Sequence, residues 1–186
     1  MNKKNIKQKS KKTKSKKTRS KKTKSKNDIP KKYLPNKLSS KDRKKQKNML
    51  IRSRKAYKKG KYISRSPVRS YISKTSSHII NAKKIYNIDT IYPSKKLSIK
   101  TGCSEKSLTD IVNKGKGAYF SGGSRPNQTA SSWGYARLAS AITGGKSAAV
   151  DFHILEKGCK KGSKALKLAK KSKKKHGKGT RKVPKA

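Results

Sequence analysis

Apolar residues recur at helical spacing in only a few stretches of this chain, and those stretches set its expected organisation. Ser104 precedes Glu105, and Leu108, Ile111 and Val112 follow at steps of three and one, so a capped helix is expected up to the stop at Lys114-Gly115. A second helix should start near Thr129 or Ser131 and run to Thr143. Its stripe is Trp133, Ala136, Ala139 and Ser140, widened by Tyr135, Leu138 and Ile142, and Gly144-Gly145 ends it. Other stretches read as strands. Gly117 to Ser121 is short and aromatic, and from Ala149 to Leu155 Val150, Phe152 and Ile154 alternate with Asp151 and His153. Ile85 to Ile91 and Leu97 to Ile99 supply two more short strands. The order helix, strand, helix, strand predicts one small α+β domain over residues 78–159, with a thin core and the polar loop Gly122 to Gln128 between its elements.

The flanks lack that pattern. In the arm formed by residues 1–40, Ser10 to Lys14, Ser15 to Arg19 and Ser20 to Lys24 repeat the pentad SKKT(K/R). A period of five fits neither helix nor strand and places no apolar residue on a face, so an extended, disordered arm is expected. Residues 41–77 read as a basic linker. Within it, Lys41 to Lys59 predicts a helix with Ser40 as N-cap, Asp42 in the first turn and Gly60 as stop. Residues 160–186 carry no acid and only the narrow stripe Ala165, Leu168 and Ala169, so a disordered basic tail is expected, helical only once its charge is neutralised.

Charge decides the function class. The chain of 186 residues has 56 Lys and Arg against 7 Asp and Glu, a formal net charge of +49. Solubility needs a net charge of only about 2 to 8, so the excess points to an anionic partner. Residues 1–84 hold 33 bases and 2 acids, 85–159 hold 10 and 5, and 160–186 hold 13 and none. Nucleic acid is the expected partner, DNA ahead of RNA, because so many lysines neutralise phosphates without reading base edges. The residues expected to contact it are Lys11, Lys12, Lys14, Lys16, Lys17, Arg19, Lys21, Lys22 and Lys24 in the arm, Arg52, Arg54, Arg65 and Arg69 in the linker, and Lys171, Lys173, Lys174 and Lys175 in the tail. Tyr33, Tyr57, Tyr62 and Tyr71, interleaved with those bases, either stack on unpaired bases or pack against the domain. Phosphorylation of Ser10, Thr13, Ser15, Thr18, Ser20 or Thr23 would weaken such binding. No apolar run reaches the roughly 18 residues of a membrane span, and the N-terminus lacks the apolar stretch of a signal peptide. Membrane insertion and secretion are therefore not expected. Two cysteines, Cys103 and Cys159, make neither a disulfide framework nor a zinc site, which suits a reducing compartment, and they either pair or lie buried near each other.

The run from Lys114 to Thr129, KGKGAYFSGGSRPNQT, is followed at short spacing by SWGYARLAS from Ser132 to Ser140 and by TGGK from Thr143 to Lys146. Over Ser104 to Cys159 this resembles an uncharacterised domain family of giant nucleocytoplasmic large DNA viruses, mimivirus-like, with looser relatives in tailed phages. Gly117, Tyr119, Gly123, Ser124, Arg125, Pro126, Asn127, Trp133, Arg137, Gly144 and Gly145 carry the resemblance. It implies a viral origin and no particular chemistry. The expected function is a virion-packaged, non-enzymatic protein that condenses or tethers the genome, located with it in the particle interior and in the cytoplasm or nucleus of the infected cell. The alternative is a structural protein that links an acidic capsid or core surface, with a capsid or core protein as partner.

Enzymatic readings are weaker. Thr143 to Ser147, TGGKS, has the end of a P-loop but Ser140 where the first Gly belongs. Gly115 to Phe120 is similar to the GKG-x-YF segment of poly-ADP-ribosyltransferases, in which the tyrosine matching Tyr119 helps bind the nicotinamide cofactor. That family also needs His-Gly and a late catalytic Glu, and only His78, without the Gly, and Glu156 are on offer. Asp151 and His153 lack the spacing of a triad, and Asn127-Gln128-Thr129 matches a glycosylation pattern without a secretory route. No catalytic residue, cofactor or metal is expected. Arg125, in a loop whose N–H groups would cradle a phosphate, and Arg137, beside Trp133, are the sharpest candidates for a specific site, the alternative for Arg137 being an internal pair with Asp151 or Glu156.

Overall fold

The computed structural model describes residues 29–177 and overturns the α+β expectation: these residues are helical. Eight α-helices follow a short 3₁₀ turn at Lys31–Tyr33: α1 Ser40–Tyr57, α2 Ser77–Tyr86, α3 Lys95–Thr101, α4 Glu105–Phe120, α5 Ala130–Ile142, α6 Lys146–Val150, α7 Phe152–Gly158 and α8 Lys164–His176. Cys103 and Cys159 form an isolated antiparallel bridge, and no strand is formed among the described residues. Their disulfide ties the turn before α4 to the end of α7.

Each expected strand fails for a local reason. Helix α4 does not stop at Gly115. It runs on through Gly117 because α5 crosses it there, and a Cβ on Gly115 would lie 2.6 Å from Cα of Gly134. The glycines make a backbone-to-backbone contact, so the segment Gly117 to Ser121 is the last turn of a helix and its cap. The alternation from Ala149 to Leu155 spans a corner. Asp151 closes α6 and opens α7, and burial falls on Ala148, Ala149, Phe152 and Leu155 while Val150 faces solvent. Leu97 to Ile99 lies in α3, with Leu97 buried and Ile99 exposed. Ile85 to Ile91 is the end of α2 and the loop after it, where Asn87 takes the left-handed conformation that ends the helix.

Helices α2 to α8 share one core built on Leu97, Leu108, Ile111, Leu138, Ile142 and Leu155, with alanines where helices approach closely. Tyr86 closes it, donating its hydroxyl to the Ile142 carbonyl at 2.6 Å, and burial pushes its pKa up. Helix α8 belongs to this core. Ala165, Leu166, Ala169 and Ser172 are buried against α5, α6 and α7, so the disorder expected over 160–186 gives way to a packed helix for Lys164–His176. Helix α1 starts at the N-cap Ser39, one residue before the expected Ser40, and lies over a smaller cluster of Ile29, Leu34 and Leu50. From Lys58 to Ser76 the chain forms no helix and crosses the molecule as an extended strap.

Candidate functional site

The strap is held by the residues of the GSRPNQT loop. Asn127 sits in the left-handed region with φ 55°, and its carboxamide accepts from the N–H of Val68 at 2.8 Å. Its Nδ2 donates to the carbonyls of Val68 and Tyr71, at 2.9 and 2.6 Å. Three residues upstream of Val68, Arg65 stacks its guanidinium 3.7 Å from the centre of the Tyr119 ring. That guanidinium donates to the Tyr119 carbonyl at 2.8 Å, to Ser53 Oγ at 3.2 Å and to Ser124 Oγ. The N–H of Arg65 also donates to the Tyr119 hydroxyl at 3.0 Å. Burial holds the Arg65 pKa below its ordinary value. Expected to contact phosphates, Arg65 is instead a rivet between strap, α1 and α4. At the far end Asp42 accepts from the N–H and hydroxyl of Ser70, at 2.8 and 2.7 Å, and those bonds hold its carboxyl pKa below the usual range.

Most motif residues are therefore structural. Tyr119, Ser124 and Pro126 are buried. Gly123 N–H donates to the Ala118 carbonyl and Gly122 N–H to that of Tyr119, so these loop amides do not form the expected phosphate cradle. Gly144 has φ 71° in the turn between α5 and α6, and Gly145 accepts from Ser172 Oγ of α8, so TGGKS is a helix junction. Arg137 makes a two-pronged pair with Asp151, Nε to Oδ2 at 2.7 Å and Nη2 to Oδ1 at 2.8 Å, and Lys114 joins at 3.2 Å. Asp151 is 0% exposed, so this is the internal pairing weighed for Arg137. A shallow cleft of about 710 Å³ opens beside it, lined by Tyr57, Lys114, Gly117 and Arg137 among others. Tyr119 and Glu156, the residues matched to ADP-ribosyl transfer, lie in α4 and α7, and the tyrosine is buried with its hydroxyl already bonded.

Two motif side chains face outward together. Arg125 is exposed and its guanidinium makes no hydrogen bond or ion pair among the described residues, its carbonyl accepting from Ser124 Oγ at 3.1 Å, and Trp133 is half-buried with its indole N–H uncommitted. Both line a cleft of about 930 Å³ whose opposite wall is the strap from Ser70 to Ser76, with Lys37 and Pro35 at one end. Tyr33 packs edge-on to Trp133, with ring centres 6.0 Å apart. Burial raises the Tyr33 pKa, opposed by the charges of Arg125 and Arg137. His78, whose pKa is lowered first by burial and then by Arg125, lies close by. Among the described residues no group of three or more His, Cys, Asp or Glu gathers as a metal site.

The other expected contact residues lie on two faces. Helix α1 exposes Lys41, Lys44, Lys45, Lys47, Arg52 and Lys55, with Arg54 half-buried, and Arg69 is exposed on the strap. Helix α8 exposes Lys171, Lys174, Lys175 and four further lysines; one of these, Lys173, sits 3.9 Å from the centre of the Phe152 ring. Of the tyrosines, Tyr57 and Tyr62 form an edge-to-face ladder with Phe120, with spacings of 5.9 and 5.1 Å, and Tyr62 is 67% exposed. Lys11 to Lys24, the pentad repeats and their hydroxyls, and residues 178–186 lie outside the described residues. No helix among those described is long and apolar enough to cross a membrane.

Residues 30–157 match the model of a family described as a family of unknown function, DUF5824, over more than half of the chain. The chain belongs to the DUF5824 family. No curated protein and no solved structure matches it. The DUF5824 match begins at Pro30, well upstream of the motif run, so it takes in α1 and the strap as well as α2 to α7. Sequence reasoning placed the domain boundary at 78 because nothing in the strap's composition reveals that Arg65, Val68 and Tyr71 are bonded to the motif loop. The signal that was available is Asn127 itself, a carboxamide beside Pro126 in a loop that must turn.

Proposed function

We propose that this protein binds nucleic acid through the charged faces of its folded body as well as through its arms, duplex DNA ahead of RNA, without sequence preference. The observation that carries this is α8. Its apolar seam is turned inward, and all seven of its lysines are exposed with no acid on the helix. Residues 29–177 hold 38 bases and six acids, so carboxylates cannot neutralise most of that charge internally. A packed helix presents lysines at fixed spacing, and the like-charge repulsion along it is relieved by phosphates. The absence of arginines from α8 argues for positioning on the backbone over reading of base edges. A particle-packaged role in genome condensation, implied by the viral resemblance, is part of the same proposal and is checked by looking for the chain in purified particles.

The test is a salt series with the full chain. Replacing Lys170, Lys171, Lys174 and Lys175 by Gln is expected to flatten the slope of log K against log salt on duplex DNA by up to about 3.6. An unchanged slope would remove α8 from the interface and leave the binding to the arms and the α1 face. Equal affinity for scrambled and native duplex sequences is expected throughout.

A further inference from the structure

The cleft between the strap and α5 has a character that non-specific lysine faces do not explain. Three cations, Lys37, Lys74 and Arg125, line it, and no carboxylate does. Asp42, which could serve as a counter-charge, is bonded to Ser70 and is not part of that wall. A cleft lined by three cations and no carboxylate has a potential that favours an anion. The same cleft holds two aromatic rings, Trp133 and Tyr71, and side-chain hydroxyls and amides from Ser73, Thr75, Gln128 and Ser132. Its volume of about 930 Å³ lies in the range of small-ligand sites, about 300–1,000 Å³. Rigid parts support it. Asn127 clamps the strap on one side, and the capping box of Thr129 and Ser132 fixes the first turn of α5 on the other.

We propose that this cleft binds one nucleotide unit, its phosphate on Arg125 with Lys37 and Lys74, and its base against Trp133. An aromatic ring and an uncommitted guanidinium lining one hydroxyl-bearing cleft match a ligand that is planar at one end and anionic at the other. An inorganic anion would use only one of those ends. The unit is supplied either by a free nucleotide or by a single strand, and the chemistry at the cleft is the same. This site is separate from the lysine faces of α1 and α8 and does not rest on their role.

Trp133 is the only tryptophan in the chain, so tryptophan fluorescence reports from this cleft. The full chain is titrated with adenosine 5′-monophosphate, adenosine, inorganic phosphate and a single-stranded deoxy-oligonucleotide. Saturable quenching by the nucleotide or the oligonucleotide is expected. Arg125→Gln should raise its midpoint by about tenfold or more, whereas Lys95→Gln, exposed on α3 and outside the cleft, should change it by less than about twofold. The Arg125 side chain is exposed and unbonded, so the variant should fold, and an unchanged circular dichroism spectrum checks that. Quenching by the mononucleotide names a free nucleotide as the source, and quenching by the oligonucleotide alone names a strand. Either upholds the site. No saturable quenching up to about 10 mM nucleotide, quenching indifferent to Arg125→Gln, or equal quenching by inorganic phosphate would each overturn it. A flat fluorescence titration beside a steep salt slope would leave the lysine faces standing and remove only the cleft.

Discussion

Arg65 shows how one residue can change meaning between sequence and structure. Beside Ser66, Pro67 and Arg69 it has the look of a phosphate contact, yet its guanidinium is taken up by Tyr119, Ser53 and Ser124 with no carboxylate near it. Arg65→Ala would strand a ring face and several acceptors, and is expected to cost about 2–4 kcal/mol in urea unfolding. Arg65→Lys should recover only part of this, because an ammonium cannot make the same fork. A loss below about 0.5 kcal/mol would mean that the strap is not riveted there. His78 gives a pH signature. Burial, and then Arg125, hold its pKa below the ordinary value near 6.5, so the unfolded chain takes up a proton at higher pH than the folded one. Its stabilising contribution is complete above about pH 6.5 and falls as the pH drops below that value. Urea midpoints between about pH 7.5 and 5 should fall for the native chain and fall less for His78→Gln; parallel curves would assign the effect elsewhere. At this scale the sequence singled out Arg125, which the structure leaves exposed, and weighed for Arg137 the partner it has, Asp151. It missed Asn127 as a clamp, because hydrogen bonds across more than fifty residues leave no local pattern.

One pair of glycines, Gly115 and Gly134, decides how α4 and α5 lie. Stop signals are read from glycine because it lowers helix propensity, but a helix packed closely against another gains more from a missing Cβ than it loses. That is why the run Lys114 to Phe120 was read as stop and strand while the structure continues α4 through it. The contrast between neighbours is testable. Gly115→Ala would drive a Cβ to 2.6 Å from the Gly134 backbone and is expected to destabilise by about 3 kcal/mol or more. Gly117→Ala meets only the Tyr57 hydroxyl at 3.4 Å, within ordinary contact, and is expected to stabilise by about 0.5–1 kcal/mol through helix propensity. Equal effects in thermal or urea unfolding would show that α4 and α5 do not cross at Gly115. Helix α8 was obscured for a related reason. Its seam is Leu166 with the small residues Ala165, Ala169 and Ser172, which give little hydrophobic signal and let the helix approach until Gly144 lies beside the Leu168 carbonyl. By contrast, α5 was legible almost to the residue, since Thr129 is a strong N-cap and the stripe from Trp133 to Ile142 is long.

The molecule as a whole is governed by charge, the one property fully visible in composition. A net charge of +49 on a chain of this size destabilises its own compact state, because bases on α1, α8 and the strap repel one another with few acids between them. The main core is sizeable and the Cys103–Cys159 disulfide closes a loop across it, and both must hold the fold against that repulsion. Added salt should therefore stabilise this protein. The Debye length falls from about 30 Å at 0.01 M to about 8 Å at 0.15 M, which screens repulsion between helices on different faces but leaves the buried pair at Asp151 nearly untouched. Tm is expected to rise by several degrees, on the order of 5 °C, between those concentrations of sodium chloride, while duplex DNA affinity falls over the same range. Short duplex DNA at low salt should raise Tm in the same direction by binding the folded state, and that gain should vanish as salt is added. The two salt effects have opposite signs because they come from one cause, an excess of cations that the fold tolerates and a polyanion relieves. A Tm that falls with salt would show that attraction within the protein outweighs repulsion, and the charge would then need another explanation than a nucleic-acid partner.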